Sequence, residues 1–233
     1  MRRRAIGAAA LAATWCAPAP APVVPLLAYP FGIGLRLRSP CGIALTFDDG
    51  PHPQGTPAVL DQLERANARA TFFLVGEQVE RRPSLAAELV AAGHEIAVHG
   101  YRHTLLLRRT PWELSEDLAR AADVIGAATG VEATCYRPPY GVFSTAGLVL
   151  VRRRAWHPLL WSRWGRDWTR HATPAGIARR ATRNLSGGDV VLLHDADFYS
   201  SAGSWTKTAA ALPSIIDAAR AAGEPLVSAS QAT

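Results

Sequence analysis

Two adjacent carboxylates, two imidazoles four residues apart, one arginine beside a Pro-Pro turn and a late Asp/His pair could together activate water and protonate a leaving group. The carboxylates are Asp48 and Asp49 in Thr46-Phe47-Asp48-Asp49-Gly50-Pro51, where Gly-Pro closes an apolar run. On its own this motif is more simply an Asp-rich turn. His99 and His103 stand in His99-Gly100-Tyr101-Arg102-His103. If the chain turns helically after its strand, imidazoles at i and i+4 share a face within reach of one metal ion. One aspartate oxygen would make three protein ligands with open positions left over, as catalytic zinc requires. Alone, the two histidines are equally well a surface pair. His94, His157 and His171 have no comparable partner, whereas His52 lies close enough to the aspartates to compete with them.

Arg137-Pro138-Pro139-Tyr140-Gly141 sets a guanidinium ahead of a rigid turn. A buried arginine needs a carboxylate, and Asp48 or Asp49 is the candidate. Asp167-Trp168 and Leu192-Leu193-His194 offer a second carboxylate–imidazole pair. An aspartate on one ring nitrogen orients a histidine and favours its protonated form.

The elements that must position these groups follow from the periodicity. Short apolar runs at 43–47, 71–75, 95–99, 135–137, 158–161, 190–193 and 225–229 read as buried strands. Helices are expected over 57–66, 84–92, 111–128, 173–185 and 206–222. Thr110-Pro111 supplies an N-cap and first turn, and Gly93, Gly130 and Gly223 stand just past helix ends. Alternating strands and helices imply parallel strands with right-handed crossovers. Seven such units predict a single distorted β/α barrel of seven to eight strands, with a doubly wound open sheet as the alternative. Reactive groups collect at the C-terminal strand ends of such barrels, and Asp48, Asp49, His99, Arg137 and His194 all fall there.

The 233 residues are 48% hydrophobic and 19% charged, which excludes a disordered chain. Net charge is +6, nearly all from arginine, since Lys207 is the only lysine. Arg152-Arg153-Arg154 and Arg179, Arg180 and Arg183 read as solvated helix faces, and no nucleic-acid partner is expected. Cys16, Cys41 and Cys135 exclude a disulfide-dense scaffold, and a Cys41–Cys135 bridge is conceivable without support. Arg2–Arg4 and the apolar run 5–15 resemble the start of a secretory signal, followed by Pro18, Pro20, Pro22, Pro25 and Pro30. The prolines argue against a membrane-spanning helix. Residues 1–38 are therefore expected to be a signal-like or membrane-associated Pro-rich leader, and 39–233 one catalytic domain. A secreted or cell-envelope location is expected, with a cytoplasmic one as the alternative.

Taken together, the motifs resemble the polysaccharide deacetylase family, the NodB-homology domain of the family 4 carbohydrate esterases. TFDDGP, HGYRH, RPPYG, DW and LLH appear in family order between about residue 40 and about residue 230. The resemblance implies a distorted β/α barrel that removes N-acetyl groups from amino sugars of a peptidoglycan- or chitin-like glycan; a monomer is expected. It also implies roles: Asp48 as general base, Asp49, His99 and His103 as ligands of a divalent metal (most simply Zn²⁺), and Arg137 holding Asp48. Tyr140 would offer its backbone N–H to the oxyanion, His194 would be the general acid tuned by Asp167, and Trp168 and Leu192 would wall the acetyl methyl. Gly100 departs from the Ser or Thr that many members carry there, which implies a shifted substrate preference rather than loss of metal. Two alternatives keep the barrel: a metal-dependent amidase for a non-polymeric or lipid-linked amide, and a non-catalytic glycan-binding protein.

Overall fold

Runs that are apolar at every position, rather than at alternate ones, form strands covered on both faces. In the computed structural model, which describes residues 13–230, they build one parallel sheet. Its strands are β1 (Ala44–Asp48), β2 (Thr71–Leu74), β3 (Glu95–Val98), β4 (Cys135–Tyr136), β5 (His157–Pro158), β6 (Arg163–Trp164) and β7 (Val190–His194). Their order is β5-β4-β3-β2-β1-β7-β6, a seven-stranded half-barrel. Helices α1 (Gly55–Arg65), α2 (Gly76–Arg81), α3 (Pro83–Ala91), α4 (Pro111–Thr129), α5 (Thr145–Arg153), α6 (Pro174–Ala181) and α7 (Ser204–Ala221) cover the outside. The capping chemistry is as expected at α4. Thr110 and Glu113 form a reciprocal capping box, Pro111 opens the first turn, and Gly130 ends the helix at φ 71°.

Strand alternation sorts the core into two layers. Leu45, Phe47, Phe72, Leu74, Ile96 and Val98 face the helices, with the Phe47 and Phe72 rings stacked at 5.0 Å. Ala44, Phe73, Ala97, Cys135, Leu159 and Val190 face the barrel interior, where small residues leave room for larger side chains at the rim. Thr46 and Asp48 continue the Ala44 side of β1, so Asp48 is delivered to the barrel mouth by period-two geometry alone.

Two strand expectations are corrected. The run at 225–229 contributes only an Ile43–Leu226 bridge, because β1 beyond Ile43 is already paired on both sides by β2 and β7. The seventh strand is instead β6, two residues long. The 158–161 run pairs only over its first part, as β5. The barrel is not closed by its own strands. Residues 34–37 cross the open seam: Gly34 pairs in parallel with Leu159, and Arg36 bridges Asp189 in antiparallel fashion. Gly34 N–H donates to Pro158 O at 2.8 Å and Leu37 N–H to Gly188 O at 2.9 Å. Leu37 joins the interior layer, and Ala21, Ala28 and Ile33 are buried against the outer one. The folded unit thus takes in residues ahead of 39. Arg2–Arg4 and most of the apolar run at 5–15 lie outside the described residues. No helix among the described residues is long and apolar enough to cross a membrane. All three cysteines are free, Cys41 exposed and Cys135 buried.

Candidate active site

Register brings the rim together. Asp48 pairs with His194 across β1 and β7, and Val98 pairs with Tyr136 across β3 and β4. His99 and Arg137, each one residue further along, therefore emerge at the same level as Asp48. Arg137 is fully buried. Its Nη1 donates to Asp48 Oδ1 at 2.6 Å and Thr46 Oγ1 at 2.9 Å, its Nε to Leu159 O at 3.2 Å and its Nη2 to Leu160 O at 2.7 Å. The guanidinium lies 4.0 Å from the Phe73 ring centroid. A charge so completely partnered can stay in the interior, and it fixes one Asp48 oxygen while leaving the other to the cavity.

Asp49 turns the chain at φ 80°, a conformation costly for a residue with a side chain. That turn swings its carboxylate away from Asp48 and toward the two imidazoles. Asp49 Oδ1 lies 3.4 Å from His99 Nε2 and 3.3 Å from His103 Nε2, yet it is buried and makes no hydrogen bond. One donor atom from each of the three residues lies within 4.8 Å of the others. His99 Nδ1 sits 2.8 Å from Arg137 O, a contact that protonates Nδ1 and leaves the Nε2 lone pair free. Burial pushes His103 down to about 4, so its ring is neutral. Burial opposes the charge of Asp49, but His99, His194 and His103 outweigh it and lower its pKa. Two imidazole nitrogens and an orphaned carboxylate oxygen aimed at one point fit a divalent cation.

The convergence of His99 and His103 comes from a loop, not the helical turn expected from their spacing. Gly100 takes φ +91°, and the carboxylate of Asp117 on α4 accepts from the N–H groups of Tyr101 at 2.8 Å and Arg102 at 3.2 Å. The hydroxyl-free position is thus a left-handed turn supported from a neighbouring helix. A Cβ at Gly100 would lie 3.2 Å from Asp117 Oδ2.

Opposite, His194 Nδ1 meets Asp167 Oδ1 at 2.9 Å, and the His194 N–H donates to Asp167 Oδ2 at 2.7 Å. Thr208 Oγ1 donates to the same oxygen at 2.8 Å. Burial works against the imidazolium, but Asp167, helped by Asp49 and Asp48, raises His194 to about 10. With Nδ1 committed, Nε2 is the nitrogen left for the cavity. Trp168 meets the ring edge-on at 5.4 Å. These groups surround a cavity of about 330 Å³, whose remaining wall includes Tyr140, Trp161, Trp164, Leu192 and Tyr199.

Comparison with known proteins agrees with this geometry. The family model "Polysaccharide deacetylase" matches residues 38–153. A Bacillus cereus protein named peptidoglycan-N-acetylglucosamine deacetylase is 33% identical over 191 residues, covering 81% of this chain and 86% of that one. The chain belongs to the polysaccharide deacetylase family. A Bradyrhizobium chitooligosaccharide deacetylase is 36% identical over 157 residues, 66% of this chain and 70% of the relative. A solved peptidoglycan N-acetylglucosamine deacetylase in complex with 4-naphthalen-1-yl-N-oxidanyl-benzamide superposes with a TM-score of 0.81 at 26% identity, covering 88% of this chain and 94% of that one. The half-barrel is the fold of these deacetylases.

In this deacetylase all ten residues singled out from the sequence lie at the mouth or directly behind it. Tyr140 takes φ 61° within its turn, with an exposed ring edge-on to His103 at 4.6 Å. His52 stays out of the cation site: its Nε2 faces Asp197 at 3.2 Å, and its Nδ1 accepts from Gly55 N–H at 2.8 Å. Two contributors went unread. Asp117 sits unmarked on a helix. Tyr199, in the loop after β7, stacks on His103 with centroids 4.1 Å apart and an 8° tilt. Its hydroxyl donates to Glu77 at 2.7 Å and accepts from Gln78 at 3.1 Å, so the stack is anchored at its far end. The nearest sequence signal was a tyrosine a few residues beyond His194.

Proposed function

We propose that the chain removes N-acetyl groups from the amino sugars of a polysaccharide or oligosaccharide, peptidoglycan- or chitin-like, releasing acetate by metal-assisted amide hydrolysis. The observation that carries this reading is the convergence on one cavity of a carboxylate pinned by Arg137, an imidazole pinned by Asp167 and a three-donor cation site. The substrates named for the Bacillus and Bradyrhizobium relatives support the glycan class.

Asp49, His99 and His103 would hold a divalent ion, best Zn²⁺ for a set of two imidazoles and a carboxylate, which when bound would supply Lewis acidity toward the acetyl carbonyl and water. Asp48, aimed by Arg137, takes the proton of the attacking water. Positioned acid–base groups of this kind contribute about 10²–10⁴-fold each. The backbone N–H of Tyr140 donates to the developing oxyanion, an interaction whose loss costs about 3–4 kcal/mol in other hydrolases. His194, protonated across neutral pH, gives its Nε2 proton to the departing sugar amine. Trp168 and Leu192 enclose the methyl, and Trp164 offers a face for a sugar ring. A wall glycan lies outside the membrane, and the basic, apolar start of the sequence is consistent with export.

The test is a panel of N-acetylated oligosaccharides with acetate measured before chelation, after it, and after zinc is returned. Acetate release that disappears with chelation and returns with zinc is expected. Full activity in the chelated protein would overturn the cation site, and glycan binding without any acetate release would favour the binding-protein alternative.

A further inference from the structure

We propose that residues 22–29, together with the arginines beside them, form a docking surface for an anionic lipid bilayer. The inference goes beyond the catalytic reading and does not depend on it.

Val23, Leu26 and Tyr29 are 74%, 78% and 71% exposed, and Val24 and Leu27 also face solvent. No charged residue interrupts this ridge. It is held in shape rather than loose. Ala21 and Ala28 are buried beneath it, and Pro25–Leu27 and Tyr29–Phe31 are 3-10 turns closed by backbone hydrogen bonds. A rigid, outward-facing apolar ridge of this kind marks an interaction site.

Its flanks identify the partner. Tyr29 lines a groove with Arg36 and Arg38, and Gly32 joins Arg38 and Arg152 in the next groove. No carboxylate lines either one. Arg36 is committed to Asp189, and Arg152 Nη2 donates to Phe31 O. Among the described residues, Arg38 and Arg152 form no ion pair. Aliphatic side chains beside uncompensated guanidiniums match the acyl boundary and anionic headgroups of a bilayer. A glycan would have no use for the valines and leucines. Residues 1–12 carry Arg2, Arg3 and Arg4, and a second copy would bring its own arginines, so either occupant would set like charges against these grooves.

One end of the ridge reaches the outer wall of the cavity. A Cβ built on Gly141 would lie 3.3 Å from Pro22 Cγ and 2.5 Å from Trp161, and Gly141 and Trp161 both line the cavity. Only this end of the ridge abuts the cavity wall; the grooves holding Arg36 and Arg38 lie toward the N-terminal ends of the strands, beside Gly188 and His157.

The experiment is co-sedimentation of the full-length protein with phosphatidylcholine vesicles, with and without phosphatidylglycerol. Binding to the anionic vesicles is expected to exceed binding to phosphatidylcholine alone by about tenfold or more. Val23→Asp and Leu26→Asp should each weaken binding to the anionic vesicles about tenfold at constant salt, because each places a like charge against acidic lipid and removes buried apolar area. Arg38→Gln and Arg152→Gln should weaken binding to the anionic vesicles alone. Unchanged melting temperatures in all four variants show that the fold is intact, whether or not acetate release has been demonstrated. The proposal is overturned if the wild-type chain stays in the supernatant with both vesicles. It is equally overturned if the aspartate variants sediment like the wild type, or if their only effect is to dissociate an oligomer in the absence of lipid.

Discussion

Asp49 and Asp189 are both buried aspartates at strand ends of one sheet, and their oxygens are used in opposite ways. Asp189, just ahead of β7, is saturated. Its carboxylate pairs with Arg36 and accepts from Ser162 Oγ at 2.7 Å, Arg163 Nε at 3.0 Å and Ser186 N–H at 2.9 Å. Asp49, just past β1, faces two imidazole nitrogens and accepts no hydrogen bond at Oδ1. The first arrangement resembles a clasp, every lone pair answered by a donor of this chain. The second is incomplete within the protein and occupies a strained backbone position as well. Interiors tolerate such incompleteness where a ligand completes it. The difference separates residues that hold the barrel from residues that use it.

Substitutions on each side should break that contrast in different observables. The largest effect is expected at the mouth. Asp48→Asn should lower turnover about 10²–10⁴-fold while bound metal, measured by atomic absorption, stays near wild type. His99→Ala should lose both, and near-wild-type turnover in Asp48→Asn would remove Asp48 from the role of base. At the clasp, Asp189→Ala should cost about 2–3 kcal/mol of unfolding free energy, less than a fully buried pair because both guanidiniums reach solvent. Asp49→Ala in chelated protein should leave melting unchanged or raise it. Burial opposes ionisation of Asp189, yet its partners hold its pKa below the ordinary carboxylate value. Its stabilisation is therefore fully present above about pH 4 and fades as pH falls further. The melting gap between wild type and Asp189→Ala should close on acidification.

Asp167→Asn tests the acid. It removes the charge that holds His194 near 10, leaving burial to favour the neutral ring. If His194 is the proposed acid it must act protonated, and the alkaline limb of kcat/KM should then move to lower pH. An unmoved limb would assign that limb to another group. The smallest effect expected is at Gly100→Ser, about 1–2 kcal/mol of stability for placing a side chain at φ +91° against Asp117. A neutral or stabilising result would show that the loop can be rebuilt around a hydroxyl.

What could be read ahead of the structure was whatever rests on a continuous local pattern. β1, β2, β3 and β7 are apolar runs, three of them (β1, β3 and β7) closed by reactive groups, and their pairing registers carry those groups to one rim. What escaped depends on contacts between distant segments. β6 has two residues, too few to show a period, and owes its existence to pairing with β7. The run at 225–229 has strand composition but pairs only around Ile43, with no strand to continue beside. The His99–His103 spacing suggested a helical turn because i and i+4 share a helix face, whereas Gly100 and Asp117 deliver the same convergence through a loop. Tyr199 belongs to no pattern at all, and only the fold stacks it on His103.

The strap formed by residues 34–37 has a practical consequence. A recombinant chain begun at residue 39 would leave Pro158 O and Gly188 O without the donors that satisfy them here, and it would bare the flank of β5. Unpaired strand margins recruit other chains, so such a product should be prone to aggregation even with its catalytic residues intact. Activity lost on trimming this stretch would then report a failure of solubility rather than of chemistry.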